Sequence, residues 1–233
     1  MDRAILDEGL VALSVGGDIT LRSIISQGCT PIGEPWTITH VEDNIIHKIG
    51  NRPAFDLLID TINNLPDKVK GRVKNNLFAG LVIDEYKDDF ERGDFLIRNL
   101  MGSDSQLGSI AIGAYPRVGQ TIQFQLRDAQ ATSEDMNKML LSAKLQLTNS
   151  TIYGACLCSC NGRGKRLFGR PNHDATLVQK YLGPLSLTGF FCNGEIGPIG
   201  NKSYLHSYTA SVALFIKNEM STTKNPLKRT GER

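Results

Sequence analysis

The chain has 233 residues, 40% of them hydrophobic and 21% charged, which are ordinary values for a globular protein large enough to bury a core. Its net charge of +2 gives no reason to expect nucleic acid or a membrane surface as a partner, and no apolar run approaches the ~20 residues that span a bilayer. The five cysteines suit a reducing compartment, and the start MDRAILDEGL has acids where a signal peptide has basic residues, so we expect a cytoplasmic protein.

Alternating and continuous apolar runs predict that most of the chain forms strands. The predicted strands are residues 10–15, 19–25, 36–41, 44–49, 77–83, 95–100, 107–114, 120–127, 152–159, 185–191 and 207–216. The turn Gly16-Gly17-Asp18 would join the first two as a hairpin, and residues 26–35 are expected to form a loop. In residues 120–127 the apolar side chains alternate with glutamines, which predicts one buried and one polar face.

Three segments have the periodicity of amphipathic helices. The first begins at Pro53, where a missing N–H costs nothing, and the second begins near Thr132, which with Asp135 resembles a capping box. The third runs from residue 172 or 173 to 182, where Gly183 and a proline stop it. Because the strands occur in groups, we expect an α+β fold of mainly antiparallel β-sheet layers packed with a few α-helices.

Two glycine turns at strand ends carry the polar groups that point most strongly to a site. They lie in CLCSCNGRGKRLFG (156–169) and GPLSLTGFFCNGEIGPIG (183–200), and rigid scaffolds often place binding groups at such turns. We expect both turns to face one pocket, in which Arg163 would hold a ligand carboxylate and Glu195 an ammonium group. The other residues predicted to line this pocket are Cys160, Asn161, Gly162, Cys192, Asn193, Gly194 and His206.

Other kinds of chemistry fit these segments less well. Cysteines 156, 158 and 160 would place their thiols on one strand face roughly 7 Å apart, whereas zinc sites usually use C-x-x-C on a turn. NGRGKR lacks the first glycine and the final Ser or Thr of a phosphate loop. We therefore predict no metal and no cofactor, and buried structural thiols.

A catalytic role stays open as an alternative. Cys160, His206 and Glu195 could form a nucleophile, a base and an orienting acid, since such triads need not be sequential. The basic residues after Cys160 would lower its pKa and favour the thiolate. Under this alternative the chain is a thiol-dependent hydrolase or redox protein. The interpretation as a small-ligand pocket instead predicts no enzymatic activity.

The segments VGQTIQFQLRDA (118–129), CNGRGKRLFG (160–169), GFFCNGEIGPIG (189–200) and LHSYT (205–209), in this order, resemble the C-terminal domain of the FIST family. SQGCTPIGEPWTIT (26–39) is similar to the end of the family's N-terminal domain. The resemblance divides the chain into a remnant of the N-terminal region, a FIST C-terminal domain and a mobile polar tail, at residues 1–50, 51–216 and 217–233.

The resemblance implies an intracellular sensory domain of signal transduction that binds a small ligand, an amino acid or similar metabolite. It implies no established catalytic residues, and a signalling protein is a possible partner. A protein–protein recognition module is the alternative, because FIST regions also occur in F-box proteins. Most of the family's N-terminal region is not in this chain, so the first strands would lack partners and leave an open sheet edge.

Overall fold

The computed structural model describes residues 8–9 and 12–217, which form thirteen strands and five helices. The strands are β1 Ile19–Ser26, β2 Cys29–Glu42, β3 Ile45–Ile49, β4 Arg52–Pro53, β5 Leu77–Val82, β6 Phe95–Asp104, β7 Ser109–Ile112, β8 Thr121–Arg127, β9 Ile152–Cys160, β10 Leu187–Cys192, β11 Glu195–Ile199, β12 Lys202–His206 and β13 Ala210–Lys217. The helices are α1 Ala54–Asn63, α2 Asp67–Lys70, α3 Ala129–Gln146, α4 Lys165–Phe168 and α5 His173–Leu182. The predicted α+β class is confirmed.

Six strands form one closed antiparallel sheet in the order β2-β8-β5-β6-β7-β3, because β3 pairs back onto β2. The first part of β2 pairs with β8 and its last part with β3, and β6 is shared in the same way between β5 and β7. Both long strands shift register where they change partners, which is what a β-bulge does to a strand. Helix α1 packs Leu57 and Leu58 into the core of this sheet.

The second sheet has four strands in the order β1-β13-β9-β10. Its pairs are antiparallel except β9 and β10, which run parallel and are connected through α4 and α5. Helices α3 and α5 cover one face, and the buried residues between them and the sheet include Ile24, Met136, Leu140, Leu157, Val178, Val212 and Leu214. The β9-α5-β10 crossover is the local exception to the antiparallel pattern.

The hairpin of β11 and β12 lies on the opposite face of the second sheet. Gly197 packs directly against Ile25 there, since a Cβ on Gly197 would lie 2.3 Å from Ile25 Cδ1. The side chains of Glu195 and His206, which are register partners in the hairpin, become buried.

No helix in residues 12–217 combines the length and apolar character needed to cross a lipid bilayer.

The predicted N-terminal hairpin does not form. Residues 12–15 are not in a strand, residues 10 and 11 lie outside the described part, and β1 pairs with β13 near the other end of the chain. The predicted loop 26–35 is also wrong, because β2 starts at Cys29 and is held along β8. Both errors have the same cause. Turn-forming residues predict a break in the strand from local sequence, but the pairing of β1 with β13 and of β2 with β8 determines which segments form strands. Strand β1 does form an edge of its sheet.

The start of α3 differs from the prediction as well. Its N-cap is Asp128, whose side chain accepts from the Ala131 N–H, and not Thr132. Thr132 instead donates its hydroxyl to the Gly28 carbonyl at 3.1 Å. Helix α5 has the predicted bounds, and Gly183 follows it. The predicted tail beyond Lys217 lies outside the described residues.

The glutamines of β8 do not form a solvated face. Gln123 and Gln125 are 8% and 1% exposed, as buried as the apolar residues with which they alternate. Gln123 donates to the Gly33 carbonyl at 2.6 Å, so it is buried with a hydrogen bond to β2. Apolar residues and glutamines do alternate along β8, but the face that carries the glutamines is buried as well.

Gly28 lies between β1 and β2 and should tolerate no side chain. Its φ is +70°, and a Cβ would lie 2.6 Å from the Thr132 Cα. Left-handed backbone and overpacking together predict a loss of about 2–4 kcal/mol in the free energy of unfolding for Gly28→Ala, measured by urea denaturation. Gly71→Ala is the matched control, because Gly71 has a φ of −61° and open space around it. Equal stability of the two variants would contradict this account.

Candidate functional site

The two predicted glycine turns lie side by side. Cys160 and Cys192 are register partners at the carboxyl ends of the parallel strands β9 and β10. Beyond them, the Asn161 N–H donates to the Cys192 carbonyl at 2.8 Å, and the Asn161 side chain donates to Asn193 Oδ1 at 2.6 Å. The fold therefore brings the two turns to one end of the second sheet.

Glu195 lies beneath this end of the sheet and is only 1% exposed. Its Oε1 accepts from Cys192 Sγ at 3.4 Å and its Oε2 from the Thr209 N–H at 3.2 Å. Burial raises the pKa of the Glu195 carboxyl, although its hydrogen bonds act in the opposite direction. The carboxyl group that we expected to hold a ligand ammonium is therefore enclosed by protein partners in this structure.

His206 is buried beside Glu195 but is not hydrogen-bonded to it. Its Nε2 lies 3.0 Å from the Gly197 carbonyl, and its buried Nδ1 has no partner among the described residues. Burial lowers the pKa of this imidazole. Among the described residues no hydrogen bond joins His206 to Cys160, and the thiol-hydrolase alternative stays a prediction.

Arg163 has a different partner from the one predicted. Its guanidinium is buried, with Nε and Nη2 donating to Asp174 Oδ2 and Oδ1 at 2.7 and 2.9 Å. Such parallel bonds between a guanidinium and a carboxylate are among the stronger polar contacts in proteins. The donor pair that we expected to hold a ligand carboxylate is thus taken by an internal ion pair.

Asp174 is the centre of a buried polar network that the sequence interpretation missed. It also accepts from Ser159 Oγ at 3.3 Å and lies 2.9 Å from His173 Nδ1. Desolvation acts to raise the pKa of Asp174, but the bonds from Arg163 and His173 outweigh it, and the pKa is lowered. In the sequence, Asp174 is recognisable as an acid in the first turn of a predicted helix. Such an acid is equally typical of a favourable interaction with the helix dipole, so it does not by itself indicate a buried network.

The network reaches other elements of the fold. His173 Nε2 lies 3.0 Å from Ser133 Oγ on α3, and the His173 ring stacks on Phe168 with centroids 3.5 Å apart. Ser26 at the end of β1 donates to Asp135 of α3 at 2.7 Å, and the Ser26 carbonyl lies 3.5 Å from Arg163 Nη1. Polar contacts therefore connect the loop after β9 with β1, α3 and α5.

Several thiols are held in the protonated form. Burial, followed by the effect of Glu195, raises the pKa of Cys192 to about 12. Burial also raises the pKa of Cys158 to about 11 and that of Cys29 to about 12. Of the three strand cysteines for which we predicted a structural role, Cys158 fits it, because the thiolate is the form that reacts. No group of three His, Cys, Asp or Glu within residues 12–217 is arranged to hold a metal ion.

A cavity of about 380 Å³ opens on the helical side of the same sheet end. It lies between the carboxyl half of β9, nearly the whole of β10 and the first turn of α5, and it was not predicted. Its polar lining comprises Ser159, Lys165, Asn172, His173, Asp174 and Thr188. The apolar part of its lining includes Leu157, Pro171, Ala175, Leu187, Phe190 and Phe191.

A basic groove adjoins the cavity and shares Gly164, Lys165 and Phe191 with it. Its remaining lining residues are Asn161, Arg163, Arg166 and Asn193. The predicted site is thus divided: Asn161, Asn193 and the buried Arg163 border the groove, whereas Cys160, Glu195 and His206 are buried and line neither the groove nor the cavity. Gly162, Cys192 and Gly194 are partly buried between the two groups. Whether these nine residues bind a ligand stays a prediction.

Breaking the ion pair from one side should destabilise the protein strongly. Asp174→Asn leaves the buried Arg163 guanidinium without a countercharge, which typically costs about 3–5 kcal/mol. The double variant Arg163→Met with Asp174→Leu removes both charges and should lose much less free energy of unfolding. Urea denaturation of the two variants tests this, and an equal loss in both would contradict an energetic role of the charge pair.

Glu195 should make the protein less stable as the pH rises. The folded pKa lies above the usual 4.5, so the stability contributed by the neutral acid is complete below pH 4.5 and is lost as pH rises through the folded pKa. Glu195→Gln removes this titration. We expect the free energy of unfolding of the wild type to fall relative to that of the Gln variant as the pH rises above 4.5. A difference that does not change with pH would contradict the enclosed position of Glu195.

Comparison with known families agrees with this fold and its sequence motifs. Residues 1–52 match the FIST N domain and residues 54–198 match the FIST C domain. An uncharacterized protein of Mycobacterium tuberculosis is 40% identical over 215 residues, covering 92% of this chain and 56% of the relative. An uncharacterized protein of Mycobacterium bovis is 39% identical over 217 residues, covering 92% and 55%.

An F-box/LRR-repeat protein of Arabidopsis thaliana is more distant, at 26% identity over 151 residues, covering 61% of this chain and 28% of the relative. The chain spans about half the length of the mycobacterial relatives that it matches. The FIST C match alone covers more than half of the chain. The chain therefore belongs to the FIST family, whose domains are associated with sensory signal transduction.

Proposed function

We propose that this chain is an intracellular, non-enzymatic sensory domain that binds a small molecule in the cavity between β9, β10 and α5. The observation that carries the proposal is the position of this cavity. It lies over two parallel strands, along the carboxyl half of β9 and nearly the whole of β10, and against the first turn of the helix that connects them. In open α/β sheets, ligands bind in the crevice outside the carboxyl ends of parallel strands, and this cavity reaches the same end of β9 and β10 at Ser159 and Phe191.

The size and lining of the cavity support this role. Its volume of about 380 Å³ is within the range of small-molecule sites, which are mostly apolar and contain a few polar groups. Leu157 and Leu187 would contact the body of a ligand, and Lys165 lies at the shared border with the groove. An amino acid or similar metabolite fits this volume, and its identity stays a prediction.

The buried network gives the site a means of affecting the rest of the fold. Three members of the network, Ser159, His173 and Asp174, line the cavity, and the last two contact α3 and β1 through Ser133 and Arg163. A ligand that contacts the first turn of α5 would therefore act on residues that hold three elements together. Sensing requires a ligand with different affinities for two states, and this network is where those states would differ.

Exposed apolar side chains favour protein recognition as the second candidate function. Ile196 and Leu205 are register partners on the outer face of the hairpin, 74% and 61% exposed, and Phe190 is 63% exposed. Exposed apolar groups of this kind are common at protein interaction sites. The F-box relative supports this candidate. Of the three exposed side chains, Phe190 also lines the cavity, whereas Ile196 and Leu205 do not.

The cavity proposal predicts that filling the space abolishes ligand binding. Ala175 lines the cavity and its exposed neighbour Thr176 does not, so Ala175→Phe and Thr176→Phe form a matched pair on α5. A thermal-shift screen of amino acids and organic acids should find a ligand that raises the melting temperature by about 5–10 °C at a hundred times its Kd. The shift should disappear in Ala175→Phe and persist in Thr176→Phe.

Phe190→Ser is a second variant, because this exposed side chain can be removed without opening the core. It should weaken binding in isothermal titration even if Ala175→Phe is too unstable to measure. A ligand that binds equally well to the wild type and both cavity variants would contradict the proposed site. The absence of any ligand, combined with capture of a signalling protein that Ile196→Ser and Leu205→Ser abolish, would favour the second candidate.

A further inference from the structure

Resting on the proposed function, we infer that the ligand is an anion with an apolar body and no ammonium group. The apolar body occupies the cavity, and the anionic group, a carboxylate or a phosphate, lies over Lys165 and Arg166 in the adjoining groove. This assigns a charge and an orientation to the ligand, and it differs from the zwitterion expected from the sequence.

Three polar side chains that line the cavity, Ser159, His173 and Asp174, already have protein partners. Asp174 is the one carboxylate that lines either the cavity or the groove among the described residues. Its two oxygens accept from Arg163, and they also contact Ser159 and His173. A ligand ammonium buried here would have no free carboxylate to pair with, and burying an unpaired charge is costly. The lining therefore disfavours an amino acid.

The border between the cavity and the groove has the opposite character. Lys165 and Arg166 are exposed and make no ion pair within residues 12–217. The groove's amides, Asn161 and Asn193, are hydrogen-bonded to each other, and the charge of Arg163 is balanced by Asp174. The uncompensated charge beside the cavity is thus positive, and it suits an anionic group.

Phe191 and Gly164 make the passage between the two spaces. A Cβ on Gly164 would lie 3.1 Å from Phe191 Cζ, so the ring packs directly against the glycine backbone. Both residues and Lys165 line the cavity as well as the groove. One molecule can therefore fill the apolar space between Leu157 and Leu187 and still place its head group outside the ring.

The test uses straight-chain carboxylates of four to eight carbons, together with primary alcohols, primary amines, alkyl phosphates and amino acids of matching length. Isothermal titration should give carboxylates or phosphates at least tenfold lower Kd than the alcohol and the amine of the same length. Each added methylene should lower the Kd about fourfold until the cavity is full. The comparison of carboxylate with phosphate identifies the anionic group.

Variants separate the charge from the apolar space. Lys165→Gln with Arg166→Gln should raise the Kd of the anion at least tenfold and leave that of the alcohol unchanged. Lys202→Gln removes a positive charge from the distant hairpin and should change neither Kd. Ala175→Phe should abolish binding of both compounds.

The outcomes distinguish this inference from the function on which it rests. If amino acids bind, Ala175→Phe abolishes their binding and carboxylates do not bind, the cavity is the site and the inference about charge is wrong. Equal affinity for a carboxylate and its alcohol would overturn the inference in the same way. If no compound of any series binds, both the inference and the proposed small-ligand function are overturned.

Discussion

The buried ion pair of Arg163 and Asp174 is the contact on which the candidate site depends. Removing two charges from water is costly, and here the cost is offset by two parallel hydrogen bonds and by the contacts of Asp174 with Ser159 and His173. The pair fixes the loop after β9 against the first turn of α5. It thereby sets the position of the Cys160–Asn161 turn, which in turn holds the end of β10.

The parallel pair β9 and β10 separates two environments that the sequence pattern treated as one. On the hairpin side, Glu195 and His206 are enclosed, and the raised pKa of Glu195 and the lowered pKa of His206 both follow from desolvation. On the helical side, the sheet, α5 and the basic loop leave an open cavity. The hydrogen bonds of the buried Glu195 carboxyl contribute rigidity on the first side, whereas the open cavity with unpaired positive charge beside it is suited to a ligand.

Sequence reasoning succeeded where a signal is local. Helix α5 has its predicted bounds because its start, its periodicity and Gly183 all lie within a dozen residues. The predictions failed where the conformation of a segment depends on a partner far away along the chain. The segment after Gly28 is rich in turn formers, yet it forms the start of β2 because β8 pairs with it. Thr132 resembles a cap, yet α3 starts at an earlier acid and Thr132 bonds to Gly28.

The sequence by itself determined the family motifs, the strand-rich α+β class and the two glycine turns at neighbouring strand ends. These depend on residue order, backbone preference and apolar periodicity, all of which can be read along the chain. Tertiary structure alone decided the partners of the charged groups: Arg163 faces Asp174, and Glu195 faces a thiol and a backbone N–H. It also created the cavity, because empty space between a sheet and a helix is a property of their packing, and no single residue encodes it.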